Sequence, residues 1–335
     1  EDGVLYPAMG GVPALRDAWR ARLAATAGAR ISRPVVTSGL THALSTAGDL
    51  FVDADTDVIL PDPCWGNYNL LFDTRRQGRI VPWTLVTGGR LNVEGLKDIL
   101  ESRTRKSLLL LNFPSNPSGF SPTLAEAKAL AEVVGACPQP LVVLCDDAYL
   151  GMVWEPDRLA GSIFDLVLAS DHPAVLPVKV DGATKELFFF GGRVGFLTFG
   201  ATGDVAQVLE NKAIGSLRST TSATTAQSQA MVLDALRDPD IARQREVILG
   251  TIRERYRRFK SALQAAGVPY EPHQAAFFVL IPTPGDPEAV RLALLKEGVG
   301  VTAFRDAQAL RISYASVDLV DIDALVDALR AHLAP

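Results

Sequence analysis

Five polar residues stand where their types and settings suit chemistry: Asn116, Asp146, Lys185, Arg193 and Arg311. Lys185 closes Asp181-Gly182-Ala183-Thr184-Lys185 just before an apolar block. Taken alone, a lysine in a glycine-containing loop is a solvated surface group. Arg193 follows eight residues later, inside Gly191-Gly192-Arg193-Val194-Gly195. Glycines let backbone pass close to a ligand, and a guanidinium there can hold a phosphate through two parallel hydrogen bonds; the plain alternative is a turn with a structural arginine. Asp146 ends the apolar run Leu141 to Leu144 and precedes Asp147-Ala148-Tyr149. The C-terminal edge of a parallel strand is where α/β folds place ligands, so this carboxylate can hold a cationic ring nitrogen or simply cap the next helix. Asn116, in Asn112-Phe113-Pro114-Ser115-Asn116-Pro117-Ser118-Gly119, belongs either to an ordinary turn or to the same sheet edge. Arg311 is a charge within the apolar strand Leu310 to Tyr314. A buried guanidinium is costly without an anion, and an internal carboxylate or a bound one meets that need equally well.

Two weaker signals join them. Gly39-Leu40-Thr41 follows a short strand and opens a helix, where free N–H groups and a hydroxyl suit an anion or do no more than cap. Trp65, in Asp62-Pro63-Cys64-Trp65-Gly66-Asn67-Tyr68, is a core aromatic or a ring stacked on a flat ligand.

The elements that must position these residues alternate in length. β-type runs at Val35-Val36, Asp57 to Leu60, Ser107 to Leu111, Leu141 to Leu144 and Val194 to Phe199 enclose helix-like segments such as Ala14 to Ala25, Thr41 to Phe51, Val93 to Ser102 and Thr123 to Val134. This pattern predicts an α/β unit with a largely parallel sheet. Leu187 to Phe190 is a further apolar stretch of strand length. Beyond about residue 225 the texture changes to long helices (Gln227 to Leu236, Ile241 to Ala265) and short strands (Ala276 to Ile281, Leu310 to Tyr314), with further helices at Pro287 to Glu297 and Val320 to His332. That is a smaller α+β unit, and Asp238-Pro239-Asp240 is the expected hinge.

Composition sets bounds. The 335 residues are 48% hydrophobic and 21% charged, which is globular rather than disordered. Lys+Arg 33 against Asp+Glu 38 leaves −5, which argues against a nucleic-acid partner. No apolar run approaches the ~18 residues of a membrane span. Cys64, Cys137 and Cys145 show neither a disulfide framework nor zinc spacing, so no metal is expected and a reducing, cytoplasmic setting is. The chain opens at Glu1 without a methionine or a signal-peptide pattern, and residues upstream are expected.

In their order, Asn116-Pro117-Ser118-Gly119, Asp146 with Ala148-Tyr149, Lys185 with Arg193, and Arg311 late in a strand resemble the class I/II aminotransferases of fold type I. These enzymes depend on pyridoxal 5'-phosphate (PLP). Trp65-Gly66-Asn67 and Arg193-Val194-Gly195 look most like the aspartate/aromatic group. The resemblance runs from Tyr6 essentially to the C-terminus. It implies a large domain over residues 12–235, with a mostly parallel seven-stranded sheet between helices, and a small α+β domain over 236–335. Residues 1–11 would be the remnant of an N-terminal segment.

The resemblance also implies roles. Lys185 would form the Schiff base with PLP and shuttle the substrate α-proton. Asp146 would pair with the pyridine nitrogen, Asn116 and Tyr149 would hydrogen-bond the phenolic oxygen, and Trp65 would stack on the ring and line the substrate site. Gly39, Leu40, Thr41 and Arg193 would cup the phosphate, and Arg311 would bind the substrate carboxylate. Tyr6 matches a tyrosine that reaches the neighbouring subunit's phosphate, so a homodimer is implied. Amino acids and 2-oxo acids would be the substrates, with aspartate, glutamate or aromatic side chains favoured. Arg218, in Leu217-Arg218-Ser219, lies near an arginine that reads a side-chain carboxylate across the dimer; the alternative is a surface arginine at a helix start.

Three positions depart from the family pattern. Gly182 replaces a phosphate-binding serine. Tyr68 stands where a histidine usually backs the ring-pairing aspartate, although a phenol can donate to Asp146 as well. The arm that normally precedes the Tyr6 region is not in this sequence. The same scaffold also serves C–S β-lyases and effector-sensing domains of transcription regulators, and both remain alternatives at this level.

Overall fold

The computed structural model describes residues 5–333. In chain order its strands are β1 (Val35–Thr37), β2 (Asp57–Asp62), β3 (Arg79–Thr84), β4 (Val86–Thr87), β5 (Arg90–Leu91), β6 (Ser107–Leu111), β7 (Leu141–Asp146), β8 (Val175–Gly182), β9 (Gly195–Phe199), β10 (Phe278–Pro282), β11 (Thr302–Phe304) and β12 (Ala309–Ser313). The helices are α1 (Pro13–Ala27), α2 (Leu40–Phe51), the single turn α3 (Asn67–Asn69), α4 (Val93–Ser102), α5 (Leu124–Gly135), α6 (Ile163–Ala169), the short α7 (Ala183–Glu186), α8 (Gly203–Thr220), α9 (Ala226–Arg237), α10 (Pro239–Ala266), α11 (Pro287–Lys296) and α12 (Ile322–Leu333).

Seven strands form one sheet in the order β1-β9-β8-β7-β6-β2-β3. Neighbours are parallel except at β9, which runs antiparallel to both β1 and β8. Both faces are covered, so β6 (Ser-Leu-Leu-Leu-Leu) is buried at every position rather than alternating. Leu109, Leu111, Val143 and Cys145 join a core with Leu15 and Trp19 of α1 and Phe164 of α6. Leu108, Leu110, Leu144, Val178 and Val180 face the other way, toward Leu44 of α2 and Tyr68 of α3.

A separate antiparallel sheet, β10-β12-β11, packs with α10, α11 and α12 around Tyr256, Phe259, Val279, Ile312 and Leu329. This core also takes in Tyr149, Met152 and Trp154, which follow β7, so the two cores meet just past Asp146. The helical run breaks at Asp238. Its carboxylate accepts from the Asp240 N–H at 2.8 Å, with Pro239 in the first turn of α10, where a missing N–H costs nothing.

The sequence pattern missed β3, β4, β5, β8 and β11, and one apolar stretch of strand length is not a strand. Leu187 to Phe190 forms no strand; it runs from the end of α7 into a 3₁₀ turn at Phe190–Gly192. No helix among the described residues is long and apolar enough to cross a membrane.

Candidate active site

Five segments that leave the seven-stranded sheet converge on one cleft. It is lined by Leu40, Thr41, Trp65, Tyr68, Asn112, Asn116, Asp146, Tyr149, Thr184, Lys185 and Arg193, among others. Asp146 is the last residue of β7 and is 3% exposed. It does not cap a helix: residues 148–151 form a turn, and α6 begins only at Ile163, capped by Ser162. Instead its carboxylate accepts from the Tyr68 hydroxyl at 2.6 Å and from the Ala148 N–H at 3.1 Å. Burial pushes the Asp146 carboxyl above its ordinary range, while the Tyr68 hydrogen bond and the nearby Lys185 charge pull it back.

Lys185 sits on α7, which follows β8 directly. Its Nζ lies 4.3 Å from the centre of the Tyr149 ring. Burial lowers its pKa, Asp146 raises it, and the Arg193 charge lowers it again. An amine in this setting sheds its proton more readily than a surface lysine, which a nucleophile or base requires. Burial and Asp146 hold the Tyr149 hydroxyl protonated, ready to donate.

The rim beside Lys185 suits an anion. α2 begins at Leu40 with no side-chain hydrogen bond at its cap, Gly39, which leaves its first-turn N–H groups open toward the cleft. Gly39 has φ +81°, and a Cβ there would lie 2.6 Å from Arg193 Nη2, so glycine is what lets the guanidinium approach. Arg193 itself adopts φ 53°. A non-glycine residue in the left-handed region is strained and often marks a functional clamp. Thr184 Oγ1 is buried in the cleft wall with no hydrogen-bond partner.

Asn116 and Arg311 complete the cleft from two directions. Asn116 is anchored by its N–H, which donates to Asn112 Oδ1 at 2.8 Å, while the Asn112 amide donates to the Asp146 carbonyl at 2.8 Å. Arg311, in β12, stacks 4.6 Å from the Phe278 ring centre and donates to Asn116 Oδ1 at 3.1 Å. Among the described residues no carboxylate pairs with it, so the internal-carboxylate reading of Arg311 has no support.

Two expected residues lie elsewhere. Tyr6 is 91% exposed and does not line the cleft. Arg218 is exposed in the last turn of α8, not at a helix start as the alternative reading had it. Tyr68, a departure from the family pattern, donates to Asp146 as the sequence reading allowed. Asn112 and Thr184 were not singled out, although Thr184 adjoins Lys185 and Asn112 opens the Asn116 loop.

Open N–H groups, an unpartnered hydroxyl and a guanidinium at one end, an amine beside them, and a buried carboxylate opposite form a donor set that fits PLP. The family model for class I and II aminotransferases matches residues 2–329. The chain belongs to that family and is a PLP-dependent aminotransferase acting on amino acids and 2-oxo acids. It is 28% identical to an aspartate/prephenate aminotransferase of Cereibacter sphaeroides, across 94% of this chain and 80% of that protein. It is also 28% identical to a probable aspartate/prephenate aminotransferase of Thermus aquaticus, across 93% and 79%. Among solved structures, an aminotransferase of Anaerococcus prevotii superposes with a TM-score of 0.87 at 19% identity, covering 100% of this chain and 84% of that one. A Thermus thermophilus aspartate aminotransferase mutant gives 0.84 at 23% identity, covering 98% and 88%.

Proposed function

We propose that this cleft moves an amino group between an L-amino acid with a dicarboxylic or aromatic side chain and a 2-oxo acid. The observation that carries the reading is the meeting of Asp146, Lys185, Arg193 and Asn116 with Arg311 of the other sheet at one cleft. PLP, when bound, supplies an aldehyde for the amine and a protonated ring that draws electrons from the α-carbon.

The chain's own residues do the rest. Asp146, whose carboxylate form the Tyr68 hydroxyl stabilises against burial, would hold the proton on the ring nitrogen. Asn116 spends its Oδ1 on Arg311, which leaves its Nδ2–H free to donate to the phenolic oxygen alongside the Tyr149 hydroxyl. The N–H groups of Leu40 and Thr41, the Thr184 hydroxyl and Arg193 would hold the phosphate, and Trp65 would cover the ring. Lys185 would be the amine that holds the cofactor's aldehyde and the base that carries the α-proton, and its lowered pKa favours the neutral amine. The Arg311 fork takes the α-carboxylate and fixes the direction of the α-C–H bond.

The names of the relatives, aspartate/prephenate and aspartate aminotransferases, support the dicarboxylic preference. A homodimer is part of the proposal: Tyr6 and Arg218, the residues assigned to a neighbour's site, are those this chain leaves exposed and outside its own cleft. The separate cores support two domains that part where α9 gives way to α10, near the expected 235/236, and residues 1–11 are read as an N-terminal segment. Three free cysteines suit a cytoplasmic setting.

The test is the visible spectrum of the PLP-loaded protein before and after L-aspartate, L-glutamate and L-phenylalanine. Conversion to the aminated cofactor and return with a 2-oxo acid is expected, with neither band nor turnover in Lys185→Ala. Release of pyruvate and ammonia in place of reversible conversion would overturn it in favour of lysis.

A further inference from the structure

Asp146 has a neighbour that the reaction does not use. Successive residues of a strand point to opposite faces. The Asp146 side chain therefore enters the cleft while Asp147, at 4% exposure, enters the core behind the sheet. There it pairs with Lys179 of β8 and accepts from the Ser162 hydroxyl at 2.5 Å. Lys179 is 1% exposed, lies opposite Cys145 in the ladder, and has its ammonium 5.8 Å from the Phe164 ring centre. The other groups facing this cluster are Asp181 of β8, Asp165 of α6, Glu186 of α7, and Trp19 and Arg22 of α1. Trp19 Nε1–H donates to both Asp181 oxygens at 3.1 Å, and Arg22 pairs with Glu186.

A buried ion pair is weak evidence for stability, because an apolar pair of the same volume is often as good. Its placement is more telling. Among the described residues Asp147 Oδ1 has no hydrogen-bond partner, and Lys179 is the cation that pairs with this carboxylate one residue from Asp146. The backbone between the two aspartates is fixed: the Asp147 N–H donates to the Val180 carbonyl at 2.9 Å, and Asn112 holds the Asp146 carbonyl. A change of charge at Asp147 or Lys179 therefore reaches the cleft as a field through the sheet rather than as a movement.

We propose that Lys179 and Asp147 are positioning residues for the cofactor: an ion pair on the far face of the sheet in which Lys179 cancels the Asp147 charge directly behind Asp146. This rests on the assignment of Asp146 to the ring nitrogen. Burial also pushes the Asp181 carboxyl up to about 7, so Lys179 has no second full anion beside it on its own strand near neutral pH.

The test titrates the visible band of the PLP-loaded protein against pH. Removing a positive charge favours protonation nearby, and removing a negative one disfavours it. Lys179→Met should raise the midpoint by roughly one pH unit and Asp147→Asn should lower it by a similar amount. The double variant and Lys179→Arg should both return close to the parent value. PLP affinity and urea midpoints, measured in parallel, report structural damage. Loss of stability with unmoved midpoints, or both single variants moving in one direction, would reduce the pair to a structural one and overturn the proposal. If Lys179→Met does not fold, the sign of the Asp147→Asn shift decides alone. Asp146→Asn separates the two readings: normal PLP affinity and an unchanged band there would sink the assignment of Asp146 itself.

Discussion

Arg311 Nη1 donates to Asn116 Oδ1 at 3.1 Å and so ties the three-stranded sheet to a loop of the seven-stranded one. The contact orients the guanidinium without neutralising it. Arg311→Ala should lower kcat/KM for the amino acid about 10²–10³-fold, roughly 3–4 kcal/mol, the scale of a lost charge-assisted pair. PLP affinity should hold. Steady-state kinetics with a PLP binding curve checks both, and unchanged kcat/KM would remove Arg311 from the substrate site.

Tyr68 is the second test of the carboxylate. Tyr68→Phe deletes a 2.6 Å hydrogen bond to Asp146 Oδ2 while keeping the ring in its core. Because that bond lowers the Asp146 pKa against its burial, the variant's Asp146 takes up a proton at higher pH. The acid limb of kcat against pH should move upward. PLP should bind about tenfold more weakly, the lower end of a hydrogen bond to a charged group. An unmoved limb would show that Tyr68 only fills space.

Gly182→Ser restores the residue usual in the family and should nevertheless fail. A Cβ at 182 would lie 2.6 Å from the Val194 carbonyl oxygen and 2.7 Å from Gly195 Cα, both backbone atoms. Overpacking of this kind costs about 1–3 kcal/mol. The strand end that carries Lys185 would shift, so a fall in both Tm and PLP affinity is expected. A gain in PLP affinity would mean that the serine hydroxyl outweighs the clash.

His273 gives the fold a pH dependence away from the site. It is 1% exposed, its Nε2 has no partner, and burial pushes its pKa down to about 4 from 6.5. The unfolded chain binds a proton below 6.5 that the folded chain refuses until about 4, so stability falls as pH drops through that window. Linkage gives a loss of about 2 kcal/mol between pH 7 and pH 5. Urea unfolding at the two pH values should show it, with a smaller difference in His273→Phe. Equal differences in the two proteins would assign the acid sensitivity elsewhere.

Much of the cleft was legible because its residues break local rules. Arg311 is a charge in an apolar strand, and Asp146 ends one. Lys185 and Arg193 break no such rule, and the family resemblance, not the local pattern, marked them out. What stayed hidden depends on distance along the chain. That Tyr68 meets Asp146 needs β2 and β7 placed two strands apart; nothing local states it, and only the resemblance pointed to it. β8 was missed because Pro177, Lys179 and Asp181 interrupt its apolar pattern. Its polar positions are buried only because an ionic cluster waits behind the sheet. Leu187 to Phe190 failed in the opposite sense: apolar residues packed against a core look alike whether or not they pair as a strand.

The cleft residues all lie between Leu40 and Arg193, whereas Arg311 arrives from the far sheet. Ligand binding stabilises what it touches, by about 2.7 kcal/mol at a hundredfold excess over Kd. The cofactor therefore spends its linkage energy on one unit of the chain, and the substrate carboxylate is the ligand that staples the two together. Binding then also has an order in space: the cofactor would occupy one unit first, and the amino acid would add a second bridge beside the one that Arg311 and Asn116 already make.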